Sequence, residues 1–147
     1  MNNLLKVVEQ FKNKKILILG DVMLDKYIWG DVSRISPEAP VQIVNVTGES
    51  YVPGGAANVA NNIAALSAKS FIVGVVGNDN TKKELIKELE KRNVDVNGLI
   101  VDENKRTIRK VRVFGRNQQL LRFDYEKKGY VDANTENSIF DFVSKKL

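Results

Sequence analysis

Two continuous apolar runs constrain the fold of this chain more than any other feature of its sequence. Residues 16–19 are all apolar and end at Gly20-Asp21, and residues 71–77 form a second such run that ends at Asn78-Asp79. A run that does not alternate with polar residues is typical of a strand buried on both faces, as in a parallel sheet covered by helices. Helical patterns lie between and after the runs, and this alternation predicts an α/β fold with a parallel sheet.

Four helices and three further strands are predicted around these runs. The helices are expected over the first dozen residues, over 56–68, from about residue 81 to Asn93, and after Asp132. The second helix would bury the stripe Val59, Ile63 and Leu66, and Thr81-x-x-Glu84 reads as a capping box for the third. A short strand is expected at 99–101, and residues 107–114 and 118–124 should form a hairpin across 115–117.

Residues 26–52 differ in character from the rest of the chain. They contain two prolines and several aromatic side chains, and only 41–46 reads as a clear strand. These features favour short strands that leave the main sheet, because proline is tolerated at sheet edges and not in a central strand. The segment forms either a lid over a site or an edge hairpin packed against the body.

Composition narrows the possible chemistry. The 147 residues include neither cysteine nor histidine, which excludes disulfides, thiolate or histidine metal sites, and catalysis by a histidine base. The net charge of +5 favours anionic partners, but the basic residues are dispersed, which argues against nucleic acid. No apolar stretch is long enough to span a membrane and no signal-peptide pattern is present, so we expect a cytoplasmic protein.

The candidate site lies at Gly54-Gly55, where a glycine pair precedes a predicted helix. Glycine allows close approach of a ligand, and a helix start offers unpaired N–H groups that suit an anion or a set of hydroxyls. Taken by itself, the glycine pair could also be a plain turn that leads into a packed helix. Asn58 in the first turn can both donate and accept hydrogen bonds. Asp21 and Asp25 follow the first strand, where open α/β sheets place ligands, although either could instead serve a turn or cap.

The glycine stretch also belongs to a longer pattern. It resembles the N-terminal signature of the ribokinase-like sugar kinases, with matching positions at Gly54, Gly55, Ala56, Asn58, Ala60, Ser67 and Gly77. Residues 20–25, 32–41 and 117–122 resemble the heptose-7-phosphate kinase branch of that family. In many species this branch is the kinase domain of a bifunctional heptose kinase and adenylyltransferase. The resemblance implies a ribokinase-like parallel-sheet domain with a small β lid at about 26–52.

The resemblance also implies a reaction. ATP with Mg²⁺ would phosphorylate the anomeric hydroxyl of D-glycero-D-manno-heptose 7-phosphate, and the 1,7-bisphosphate would feed ADP-heptose and lipopolysaccharide core synthesis. Family kinases carry their catalytic aspartate in a Gly-Ala-Gly-Asp motif, and this chain contains no Gly-x-Gly-Asp. We therefore expect residues 1–147 to be the N-terminal, sugar-binding half of a kinase domain. On this reading the chain holds no catalytic residue, no metal ligand and no tightly bound cofactor, and is inactive alone.

Roles follow from the resemblance residue by residue. Asp25 would bind heptose hydroxyls, since a carboxylate can accept two bonds from a vicinal diol. Gly54 and Gly55 would bring backbone N–H groups against the sugar, and Asn58 would bind a ring hydroxyl. Residues 26–46 would form the lid, which in this family often makes the dimer interface.

The 7-phosphate needs cations, and four candidates are chosen by charge and position alone. Lys110 and Arg112 alternate with Val111 and Val113, which makes one face of that strand basic. The other two are Arg116 in the hairpin turn and Arg34 in the lid segment. The same pattern would equally describe a solvated sheet face.

Other functions are compatible with parts of the pattern. A non-catalytic phosphosugar-binding module would need the same residues and no catalytic base. A Rossmann dinucleotide binder fits less well, because the glycines do not directly follow the first strand. A nucleic-acid binder would show strongly salt-dependent affinity for DNA, which we do not expect. Uncovered sheet edges predict a homodimer or higher oligomer.

Overall fold

The computed structural model describes residues 2–146. Within these residues the chain forms four α-helices and the strands of two β-sheets. The elements are α1 (Asn2–Glu9, continued by a 3-10 helix at Gln10–Asn13), β1 (Lys15–Leu19), β2 (Val22–Ile35), β3 (Gln42–Gly55), α2 (Ala56–Ala65), β4 (Lys69–Val76), α3 (Asn80–Glu90), β5 (Asp95–Val101), β6 (Ile108–Gly115), β7 (Gln118–Tyr125) and α4 (Ala133–Lys146). The predicted α/β fold class is confirmed.

The first sheet is parallel and has the strand order β1-β4-β5. Its central strand β4 is buried on both faces, as predicted, and Ile72, Val73 and Val76 are inaccessible to solvent. Burial on both faces is wrong for β1, whose Leu19 is 58% exposed. Within residues 2–146, β1 pairs only with β4 and therefore forms an edge of this sheet.

The second sheet has the order β3-β2-β6-β7. Strands β2 and β3 form a long antiparallel hairpin, in which Val22 lies opposite Gly55 and Ile35 opposite Gln42. The predicted hairpin of β6 and β7 joins it, because β6 pairs in parallel with β2. We call this second sheet the lid sheet. Its strands β2 and β3 extend past the predicted 26–52 segment at both ends, and β6 and β7 add two strands that the segment does not supply.

Helix α2 packs through a different face from the one predicted. Its buried residues are Ala57, Ala60 and Asn61, whereas Val59 and Leu66 are 48% and 41% exposed. Small side chains let the helix approach the sheet closely, and for this reason the larger residues at helical spacing lie outside. Asn61 is buried in this packing, whereas the nearby Asn58 and Asn62 are exposed.

Helix α3 begins two residues earlier than the predicted capping box, in which Thr81 would be the N-cap. Its N-cap is Asp79, whose Oδ1 accepts from the backbone N–H of Lys82 at 2.9 Å and whose Oδ2 accepts from that of Thr107 at 2.9 Å. Burial favours a higher pKa for Asp79, but these backbone N–H groups outweigh it and the pKa lies below its usual value. The inner face of the helix carries Leu85 and Leu89, which are fully buried.

The last helix, α4, starts after Asp132, as expected. The Asp132 carboxylate accepts from the backbone N–H of Thr135 at 2.7 Å, which caps the helix. Phe142 from α4 contacts the first sheet at Gly98, where an added Cβ would lie 2.8 Å from its ring. Among the helices of residues 2–146, none is both long and apolar enough to cross a membrane.

Candidate functional site

Asp25 and Gly54 face each other where the lid sheet meets helix α2. Asp25 lies within β2, opposite Val52, and Gly54 lies near the end of β3, opposite Met23, so the two residues are diagonal neighbours across the strand pair. A Cβ added at Gly54 would lie 2.6 Å from Asp25 Oδ2 and 2.8 Å from Met23 Cγ. The missing side chain at Gly54 is therefore what makes room for the carboxylate. The sequence predicted Asp25 at the carboxyl end of β1, but it belongs to a strand of the second sheet.

Arg112 holds the carboxylate of Asp25 in place. Its guanidinium donates a charge-assisted hydrogen bond to Asp25 Oδ1 from the neighbouring strand β6, and both side chains are partly buried. The guanidinium also lies over the ring of Tyr27, 5.5 Å from its centroid. The bond to Asp25 raises the pKa of Arg112 above its usual value, so this cation stays charged under all physiological conditions.

Gly55 closes the strand in a conformation that other residues avoid. Its φ is +57°, and an added Cβ would lie 2.5 Å from the backbone oxygen of Asp21. The next N–H, that of Ala56, donates to the same oxygen at 2.8 Å. The glycine pair therefore ends a strand and does not form an open loop, and the first N–H of α2 is already used. Asn58 lies in the first turn of α2 and is exposed.

The four predicted phosphate-binding cations do not lie together. Arg112 touches Asp25, and Lys110 is the register neighbour of Asp25 but pairs with Asp124 at 3.3 Å. Arg116 follows Gly115, the register partner of Gly30, which places it about 17 Å along the strand from Asp25. Arg34 lies nine residues beyond Asp25 on β2, about 30 Å away.

An aromatic stack adjoins the Asp25–Arg112 pair, and sequence reasoning missed it. Tyr27, Trp29 and Phe114 lie on the same face of the lid sheet as Asp25, and the rings of Trp29 and Phe114 stack with centroids 4.5 Å apart. Trp29 is 42% exposed, so part of the stack is open to a ligand. In the sequence, the spacing of Tyr27 and Trp29 indicates that both lie on one face of a strand. The third ring, Phe114, joins them only because β6 pairs with β2, which the sequence pattern does not reveal.

The described residues offer oxygen acceptors and cations for a polyhydroxyl ligand, but not a cage for a metal. Across residues 2–146, no three acidic side chains lie close enough together to bind an ion. We therefore assign no residue here to Mg²⁺ or to a nucleotide. What the geometry can do is orient hydroxyl groups against Asp25 and neutralise an anion at Arg112.

Comparison with known proteins points to one family. Residues 13–142 match the pfkB family of carbohydrate kinases. The chain is 45% identical over 134 residues to the bifunctional protein HldE of Helicobacter pylori (strain G27), and the alignment covers 91% of this chain and 29% of that protein. The chain therefore spans less than a third of the length of this relative.

Solved structures of sugar kinases share the fold. An uncharacterized sugar kinase from Pyrococcus horikoshii superposes with a TM-score of 0.59 at 27% identity, over 90% of this chain and 40% of that one. Arabidopsis thaliana ribokinase, solved with ribose and ATP, superposes with a TM-score of 0.58 at 18% identity, over 78% of this chain and 36% of that one. The second likeness concerns the fold alone.

Proposed function

Because the chain belongs to the pfkB family of carbohydrate kinases, we propose that it forms the sugar-binding part of a heptose-7-phosphate kinase. The reaction would transfer the γ-phosphoryl group of ATP to the anomeric hydroxyl of D-glycero-D-manno-heptose 7-phosphate and give the 1,7-bisphosphate. The observation that carries the proposal is the carboxylate of Asp25 set against the bare backbone of Gly54. The identity to HldE and the heptose-kinase resemblance of residues 20–25, 32–41 and 117–122 support this choice of sugar.

Asp25 would bind two of the sugar hydroxyls. One carboxylate oxygen already accepts from Arg112, but each oxygen has two lone pairs, so acceptor capacity remains for hydroxyl donors. Gly54 has no side chain, which leaves room for the Asp25 carboxylate, and the exposed Gly55 beside it would let the sugar ring come against the β3 backbone. Asn58, exposed in the first turn of α2, would bind a ring hydroxyl with its amide.

Arg112 would bind the 7-phosphate while it keeps its hydrogen bond to Asp25. A guanidinium has five N–H donors, so its bond to Asp25 leaves donors for a phosphate. Lys110 lies beside Asp25 in the register and would add a second cation. Arg116 and Arg34 are too far along the strands to reach the same phosphate in this conformation, so the proposal rests on the first pair.

The nucleotide would be held elsewhere. ATP with a divalent cation supplies the phosphoryl group, but no residue of this chain is assigned to either, and the sequence lacks Gly-x-Gly-Asp. We therefore propose that the 147-residue chain binds the sugar without turning it over, with residues 26–46 of the lid sheet covering the bound sugar. The reaction of the complete kinase would run in the cytoplasm, where ATP is available.

Isothermal titration calorimetry with heptose 7-phosphate tests the sugar site. Asp25→Asn should weaken binding at least tenfold, because it removes a charged acceptor and the partner of Arg112. Asp31→Asn is the matched control, since Asp31 is an exposed carboxylate of the same strand. Equal affinity for Asp25→Asn and the unmodified chain would overturn the site.

A coupled assay of ADP release tests the kinase assignment. The 147-residue chain should release no ADP from ATP and heptose 7-phosphate, whereas the product of the complete reading frame should do so. Turnover by the 147-residue chain would contradict the proposed division of roles. Sugar binding without ADP release by the complete product would favour a non-catalytic phosphosugar-binding module instead.

A further inference from the structure

A second cavity, of about 540 Å³, lies on the opposite side of the lid sheet from Asp25. It is enclosed by the start of α3, by the segment between β5 and β6, and by strands β6 and β7. Arg109 lines it, and because successive strand residues face opposite sides, Arg109 and its neighbour Lys110 lie on different faces. The cavity is therefore separate from the site at Asp25 and Arg112.

Four basic side chains converge on this cavity from three parts of the chain: Lys105, Arg106, Arg109 and Lys127. In the described range 2–146, none of them forms an ion pair with a carboxylate. On the other face of the sheet, Lys110 and Arg112 are both paired. The four cations repel one another, and a bound anion would relieve this repulsion.

The two acidic residues of the cavity are already engaged. Asp79 accepts from the backbone N–H groups of Lys82 and Thr107 and so caps α3. Glu103 accepts from the side-chain amide of Asn78 at 3.2 Å. These two carboxylates offset only part of the charge of the four cations, so the cavity keeps an excess of positive charge.

Arg109 is held ready for a ligand. Its guanidinium lies over the ring of Tyr125, with Cζ 4.3 Å from the centroid, and this cation–π contact restrains its position. Its Nε–H is buried and has no hydrogen-bond partner within residues 2–146. A buried donor without a partner is costly. An anion in the cavity would accept from the remaining N–H groups of this guanidinium.

We propose that this cavity binds a small phosphate-bearing molecule as a second site, independent of the sugar site at Asp25. Phosphate matches the cluster because a guanidinium can bind it through two parallel N–H bonds while the lysines add point charges. The volume is in the range of small-molecule pockets and exceeds what a phosphate group alone would fill. The inference does not depend on the proposed sugar.

Calorimetric titration of the 147-residue chain with inorganic phosphate and with glycerol 3-phosphate, at fixed ionic strength, tests the proposal. We expect saturable binding at the cavity, which is weakened about tenfold by Arg109→Gln and is distinguished from any phosphate bound at Arg112 by repeating the titration with Arg112→Gln. Arg92→Gln is the matched control, because Arg92 is an exposed cation outside the cavity, and it should leave the affinity unchanged. Tighter binding of glycerol 3-phosphate than of phosphate would identify an organic monoester as the ligand class, and equal binding a phosphate ion.

Two further variants show whether an altered affinity comes from loss of the fold or from the sugar site instead of the cavity. Lys127→Gln changes an exposed side chain of the cavity and should weaken binding even if Arg109→Gln does not fold. Arg112→Gln should leave phosphate binding at the cavity intact, whatever it does to sugar binding. Unchanged affinity in folded Arg109→Gln and in Lys127→Gln would overturn the proposal, as would an equal loss in Arg92→Gln.

Discussion

The carboxylate of Asp25 is bound by the guanidinium of Arg112, a residue 87 positions later in the chain. The contact exists because β6 pairs in parallel with β2, which sets Arg112 opposite Tyr27 and diagonal to Asp25. In the proposed function, Asp25 binds hydroxyls and Arg112 binds the phosphate of the same sugar. The ion pair would then orient both groups toward one ligand.

Replacing Arg112 with alanine should separate the two kinds of recognition. We expect the Kd for heptose 7-phosphate to rise about tenfold to a hundredfold, because a charge-assisted contact to phosphate is lost. The Kd for unphosphorylated heptose should rise less, through the freed Asp25 side chain alone. Arg122→Ala is the control, since Arg122 lies opposite Arg112 on β7 but pairs with Asp124. Equal losses for both sugars would contradict the role of Arg112.

Gly54→Ala should damage the sugar site by steric conflict. The new Cβ would lie 2.6 Å from Asp25 Oδ2, which is fixed by Arg112, so the carboxylate or the strand must shift. We expect about 1–3 kcal/mol of lost unfolding free energy in urea denaturation, together with weaker sugar binding. Gly48→Ala, on the same strand, has no atom within 4 Å of the new Cβ and should change neither quantity. Equal behaviour of the two variants would show that space at Gly54 is not limiting.

The strands and helices were predictable where burial dictated the sequence pattern. The apolar run of β4 correctly predicts burial on both faces, because that strand is central in its sheet. The similar run of β1 lies at an edge, and the order of strands is not encoded in either run. In α2, both Ala57-Ala60 and Val59-Ile63 have helical spacing, and only the close approach to the sheet selects the small residues.

The site was predictable only in its local part. Gly54, Gly55 and Asn58 are close in sequence, and their spacing forms part of the pattern on which the resemblance rests. The partner of Asp25 depends on a parallel register between β2 and β6, strands that are separated by β3, α2, β4, α3 and β5. Positive charge identified Arg34 and Arg116 as candidates, but charge contains no information on their distance from Asp25.

Asp79 should make stability depend on acid pH. The pKa of Asp79 lies below its ordinary value, so folding favours the ionised carboxylate. The stabilisation of the fold by this carboxylate is fully present above the unfolded pKa of about 3.9. It is lost as the pH falls through the lower pKa of the folded state. At pH 7, Asp79→Ala should lose about 1–2 kcal/mol of unfolding free energy, since it removes the α3 cap and the bond to Thr107.

The difference between Asp79→Ala and the unmodified chain should shrink as urea denaturation is repeated at pH values below about 4. Asp31→Ala, in which an exposed carboxylate is removed, should show no such dependence. A difference for Asp79→Ala that stays constant from pH 7 to pH 3 would mean that the carboxylate charge does not contribute.

The open edge of β1 predicts self-association of the 147-residue chain. Within residues 2–146 this strand pairs on one side only, Leu19 at its end is exposed, and α1 presents Leu4, Leu5, Val7 and Val8 to solvent. We expect light scattering to give a mass of at least a dimer at high concentration. Leu19→Lys should shift the chain toward monomer, because lysine at a sheet edge opposes pairing with another strand. Leu66→Lys, at the exposed end of α2, makes the same chemical change away from any strand edge and should not. A clean monomer of the unmodified chain at high concentration would contradict the prediction.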